Sequence, residues 1–163
     1  MEKIIIMLGL LFSLFKKKDI IYGKDLYFSR ALYPNYKKEC LDRLNQMWRK
    51  IPILSIKGYD RKAIFALIIH ETGWLSDIKS YTYIVVNNNI FGIEKLGAPR
   101  KFKNVNECLN FFDYMMSKKP DTSYFRNAYE NRQNGLKFLE LLYPYYNPNL
   151  SWLNSVKKIY NGL

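Results

Sequence analysis

Histidine and cysteine are almost missing from this chain: one histidine, His70, and two cysteines, Cys40 and Cys108, in 163 residues. A metal centre of clustered thiolates and imidazoles is therefore not expected, and neither is a disulfide framework. Each cysteine falls among apolar residues in a predicted helix and reads as a small buried hydrophobe. Phosphate-cradling glycine loops, internal repeats and low-complexity tracts are absent too, and no cofactor is expected. Acidic residues are scarce, 14 against 26 basic ones, which leaves a net charge of +12. Such a balance suits a polyanionic partner: nucleic acid, an anionic membrane surface or a bacterial cell wall. Compositional bias from an AT-rich genome would give the same excess of Lys, Asn, Ile and Tyr. No recognition-helix, zinc-finger or RNA-binding signature accompanies the charge, so no specific nucleic-acid partner is expected.

Long apolar runs are lacking as well. The run near the start, Ile4 to Phe15, would span only about 18 Å as a helix, short of the roughly 30 Å of a bilayer core. Its length and the preceding Lys3 suit a signal-peptide core. However, no small-x-small cleavage site follows, and Lys16, Lys17 and Lys18 oppose export. Residues 1–18 are read as an uncleaved export signal or membrane anchor, or as a tail packed on the domain or a partner. Membrane or virion association is expected through residues 4–15. Residues 19–163 then form one domain, large enough for a real core.

Aromatic side chains are plentiful: fourteen Tyr, ten Phe and three Trp. They fill cores first, but they also make flat platforms for sugar rings and bases. Tyr36 to Lys50 repeats Cys40, Leu44 and Met47 at helical spacing. The stretch that organises the rest is Ala63 to Ile93. Ala63 to Ile69 carries no polar side chain and expects protein on every side. With Asp60 as N-cap and Gly73 as a C-terminal stop, a buried helix is predicted over Arg61–Thr72, with a buried strand as the rival. Glu71 follows Ile68, Leu67 and Ile64 by three, four and seven residues and shares their face. An acid there meets the negative end of the helix dipole and a desolvated setting, and both raise its proton affinity. That is how a carboxylic acid becomes a proton donor near neutral pH.

After Trp74 comes the turn-forming run Asn87-Asn88-Asn89, then Ile90-Phe91-Gly92-Ile93. Phe91 to Lys103 suits a very small hairpin. Asn106 is read as the cap of a helix reaching Met116, and further helices begin near Ser123 and Gly135. Pro144 and Pro148 are expected to hold Tyr145 and Tyr146 in a stiff loop outside the neighbouring helices. A last helix carries Trp152, Val156, Ile159 and Tyr160.

The apolar helix ending in Glu71-Thr72-Gly73-Trp74, a spacer, and Asn88-Asn89-Ile90-Phe91-Gly92-Ile93 resemble the glucosaminidase family of peptidoglycan hydrolases. Autolysin glucosaminidase domains and the muralytic domain of the flagellar rod-assembly protein are members. The resemblance covers roughly Leu26 to Tyr160. It implies an α+β, mostly α, lysozyme-like fold with Glu71 as general acid, and alignment from Val156 and Trp152 puts Tyr146 on the family's site tyrosine. Family members carry a larger β-lobe with a second acid. Here ten residues separate Ile93 from Asn104, leaving a minimal β-hairpin lobe whose sole acid is Glu94.

Glu94 is thus the candidate second carboxylate, with a solvated strand-end charge as the alternative. With one acid alone, attack by the substrate's own N-acetyl group or by a sugar hydroxyl would serve. For a glycan substrate, Trp74, Asn88, Asn89, Phe91 and Tyr145 are candidate contacts. Plainer readings are Trp74 as core, the asparagines as turn formers, Phe91 as floor support, and Tyr146 as one more packing aromatic, with Tyr145 beside it able to take the site role instead. His70 is read as a hydrogen-bonded core or supporting histidine rather than a proton relay. The expected activity is cleavage of peptidoglycan glycan strands between N-acetylglucosamine and N-acetylmuramic acid, at the cell envelope or in a phage virion. The alternative is a wall-binding or virion structural protein with a decayed site.

Overall fold

The computed structural model describes residues 19–118 and 123–163, so the N-terminal apolar run lies outside the described residues. The described chain is mostly helical, with one two-stranded antiparallel sheet. Helix α1 (Gly23–Leu26) is a single turn. It is followed by α2 (Tyr36–Lys50), α3 (Ile53–Ile56) and α4 (Arg61–Thr72). Strands β1 (Glu94–Lys95) and β2 (Ala98–Pro99) precede α5 (Val105–Lys118), α6 (Ser123–Glu130), α7 (Gly135–Tyr146) and α8 (Leu150–Gly162). Among the described residues no helix is long and apolar enough to cross a membrane.

Helix α4 is the centre. Asp60 Oδ1 accepts the Ala63 N–H at 2.7 Å and supplies one of the donors' missing partners at the helix start. Gly73 ends the helix at φ 54°, a left-handed conformation that favours glycine. Every residue from Ala63 to Ile69 is buried. Helices α7 and α8 pack on α4, while Trp48 of α2 meets Phe65 edge-on at 5.8 Å. A helix apolar all round is stable only when enclosed in this way. Beneath the hairpin, Phe91 stacks on Phe112 with centroids 4.1 Å apart, tying the segment before β1 to α5.

Two local expectations need correction. Asn104, not Asn106, caps α5: its Oδ1 accepts the Glu107 N–H at 2.9 Å. Asn106 instead tethers the chain's entry into the domain, accepting the Ile21 N–H and donating to the Asp19 carbonyl. Nor do Pro144 and Pro148 isolate a loop, because α7 runs through Pro144 to Tyr146. Pro144 sits exposed in the last turn, where a carbonyl that loses its partner can turn to water. The Asn147 N–H donates to the Tyr143 carbonyl and closes that turn. Tyr145 and Tyr146 are therefore mounted on a helix end.

Ile68 is fully buried whereas Ile56 is 75% exposed. Ile68→Ala should cost about 2–5 kcal/mol in urea unfolding followed by circular dichroism, and Ile56→Ala less than about 0.5 kcal/mol. Equal costs would mean that α4 is not enclosed.

Candidate active site

Glu71 sits at the last turn of α4, where the apolar helix reaches the surface. Its Oε1 accepts a hydrogen bond from Trp152 Nε1 of α8 at 2.9 Å. The Trp152 ring is itself buried, packed against Tyr146 with centroids 5.6 Å apart and edge-on to His70 at 5.9 Å. A buried indole N–H needs an acceptor; the glutamate supplies it. The opposite side of the carboxyl is closed by Gly92, whose φ is 63°. A Cβ on Gly92 would stand 2.7 Å from Glu71 Oε2, so a side chain there would strain the backbone and displace the carboxyl.

Burial pushes the Glu71 carboxyl above the usual carboxylate range, the Trp152 N–H pulls it back, and the negative charge of Glu94 raises it. Burial also lowers the proton affinity of His70, which keeps the imidazole neutral at neutral pH. Glu71 opens on a cleft of about 700 Å³ whose lining includes Glu94, Tyr145, Tyr146, Lys79, Ser80 and Tyr83. The Tyr146 hydroxyl donates to the Phe91 carbonyl and so clamps the end of α7 to the floor of the cleft. Its phenol is held well above the ordinary tyrosine range, first by burial and then by the Glu71 charge. Glu94, exposed on β1, accepts the Tyr83 hydroxyl at 2.9 Å. Among the described residues no group of three His, Cys, Asp or Glu side chains is arranged to hold a metal ion.

Glu71, Glu94, Tyr145 and Tyr146 thus share one cleft, and four other candidate contacts stand elsewhere. Trp74 meets Tyr36 edge-on at 6.2 Å, with Lys37 Nζ 5.3 Å from its ring centroid. It follows a left-handed Gly73 and is itself left-handed, φ 63°, and this carries the ring to the α2 side. Asn88 is spent on backbone: its Oδ1 accepts the Gly23 N–H at 2.8 Å and its amide donates to the Phe102 carbonyl at 2.9 Å. Asn89, fully buried, accepts the Ile93 N–H and donates to the carbonyls of Ile93 and Arg100. Phe91 offers its carbonyl to Tyr146 while its ring is buried on Phe112. The two asparagines and Phe91 build the mount of the hairpin, Trp74 packs toward α2, and none of the four lines the cleft.

Trp152, Tyr83 and Lys79 belong to the site and escape a reading of the sequence for catalysis. Trp152 shows only as one apolar position of an amphipathic helix; the requirement that a buried indole find an acceptor is the signal that leads to Glu71. For Tyr83 and Lys79 no pattern in the sequence distinguishes them. No protein-family model, curated protein or solved structure matches this chain.

In Trp152→Phe the ionised form of Glu71 loses a hydrogen-bond donor and the protonated form loses little, so its proton affinity should rise further. Carboxyl NMR titration of the two proteins reads this directly. A midpoint that is unchanged or lower would contradict the contact.

Proposed function

We propose that the chain is a glycosidase of bacterial cell walls, cutting peptidoglycan between N-acetylglucosamine and N-acetylmuramic acid, with Glu71 as general acid. The observation that carries this reading is the Glu71 carboxyl: pushed by burial toward its protonated form, fixed by Trp152, and open to a tyrosine-walled cleft. A cleft of that size takes a few sugar units, and Tyr145, 47% exposed, offers a face for stacking. Proton donation to the glycosidic oxygen needs Glu71 protonated, which its raised proton affinity favours near neutral pH. Tyr146, held beside it with its hydroxyl directed at the floor, presents an electron-rich ring and oxygen where positive charge develops on the cleaved sugar.

The family resemblance adds a lysozyme-like architecture to this reading, with β1 and β2 as a reduced second lobe. The +12 charge supports an anionic wall polymer as partner, at the cell envelope or carried on a phage particle. A wall-binding protein without catalysis is the second reading, favoured by the small lobe and the exposure of Glu94.

Glu71→Gln should reduce release of fragments from purified cell walls by about 10²–10⁴-fold with the circular dichroism spectrum unchanged. Activity should also fall as pH rises through the elevated Glu71 midpoint, because the deprotonated acid cannot donate. Mass spectrometry of the released muropeptides separates water attack, which leaves reducing ends, from attack by a sugar hydroxyl, which leaves anhydro ends. No release by the wild-type protein, with retention on the wall, would favour the binding reading.

A further inference from the structure

We propose that Tyr83 is the positioning residue for Glu94, which serves as the second carboxylate of the cleft; this rests on the glycosidase reading. The Tyr83 hydroxyl donates to Glu94 Oε1 at 2.9 Å, and both side chains line the cleft that contains Glu71. Glu94 is exposed on a two-residue strand, where a carboxylate would otherwise sample several rotamers. One hydrogen bond from a ring with few torsions selects the rotamer that serves the cleft.

The mount of Tyr83 is built for this. Residues Thr82–Val86 form a π turn, in which the Asn87 N–H reaches the Thr82 carbonyl at 3.1 Å. Turns of this kind are rare and concentrate at functional sites, since the extra residue takes side chains out of helical register. The turn is braced from behind. Gly23 approaches the Ile84 carbonyl so closely that no Cβ would fit, and Asn88 accepts the Gly23 N–H. The Asn89 N–H donates to the carbonyl of Tyr83 itself at 2.8 Å.

The ionisable groups around Glu94 on the cleft are Glu71 from α4, Lys79 from the preceding turn, Tyr83, and Tyr145 and Tyr146 from α7. Lys95 follows it on β1. Burial raises the proton affinity of the Tyr83 phenol, and the hydrogen bond and charge of Glu94 add to this. Tyr83 therefore keeps its proton, and can donate, through neutral pH. In the reaction, Glu71 gives its proton to the leaving glycosidic oxygen as the bond from that oxygen to C1 breaks. A water oxygen bonds to C1, and the proton that this water loses passes to Glu94.

The test is a double-mutant cycle on soluble, peptide-free glycan strands. Tyr83→Phe keeps the ring and should lower kcat by about 10- to 100-fold, the worth of a hydrogen bond to a charged group, with KM unchanged. Tyr83→Phe combined with Glu94→Gln should be no slower than Glu94→Gln alone, because the phenol acts through the carboxylate. Losses that multiply, a change confined to KM, or a Tyr83→Phe variant within twofold of wild type would overturn the assignment while leaving Glu71 as the acid. A wild-type protein that cuts no glycan overturns the glycosidase reading and this assignment with it. A readout independent of turnover is ultraviolet titration of tyrosine: Glu94→Gln should bring the Tyr83 phenol down toward the ordinary value, and an unchanged titration would overturn the contact.

Discussion

A carboxyl group just beyond the apolar run Ala63–Ile69 has to be reconciled with its surroundings, and in this chain one indole N–H does it. Trp152 approaches from α8 and fixes Glu71 Oε1, while Gly92 closes the other side. Three separate parts of the chain therefore meet at one side chain: the central helix, the last helix and the segment leading into the hairpin. Removing the donor would take one hydrogen bond from a half-buried carboxyl, a loss of about 0.5–1.5 kcal/mol. That loss would fall on the packing of α8 against α4 as well as on the acid. Stability and acidity share the contact.

The same economy governs the hairpin, which is too short to form a core. Two residues per strand cannot stand alone in water. Its position comes instead from below: Phe91 is stacked on Phe112, the Asn89 amide bridges Ile93 and Arg100, and Tyr146 grips the Phe91 carbonyl. The tip is left with Leu96, 97% exposed, in a left-handed conformation beside Gly97. A two-residue turn of this kind suits the twist of paired strands.

Helix placement was largely legible in the residues. Asp60 and Gly73 bound α4 where capping chemistry requires, and the run of apolar side chains between them demands burial. The position of Glu71 follows from the helical period alone. What stayed hidden depends on partners far away in sequence. The Asn88 and Asn89 amides look like ligands for a substrate because their bonding to Gly23, Phe102, Ile93 and Arg100 exists only in the folded chain. Trp152 looks like a core residue and is one, yet the one polar atom of its side chain holds the carboxyl and moderates the effect of burial on it. Pro144 reads as a helix breaker but lies so near the helix end that little hydrogen bonding is lost. The π turn at Thr82–Val86 has no signature in composition or period, so Tyr83 could not be singled out.

Asn89 works as a mechanical brace. Its side chain accepts one bond and donates two, all to the backbone on either flank of the hairpin, at 2.6–3.1 Å. Hydrogen bonds are short-ranged and directional, so such a brace resists spreading far more steeply than side-chain packing does. The two flanks of the hairpin are thereby locked to each other, and the wall that carries Glu94 moves as a single piece. Heat loosens that wall only when the brace itself lets go.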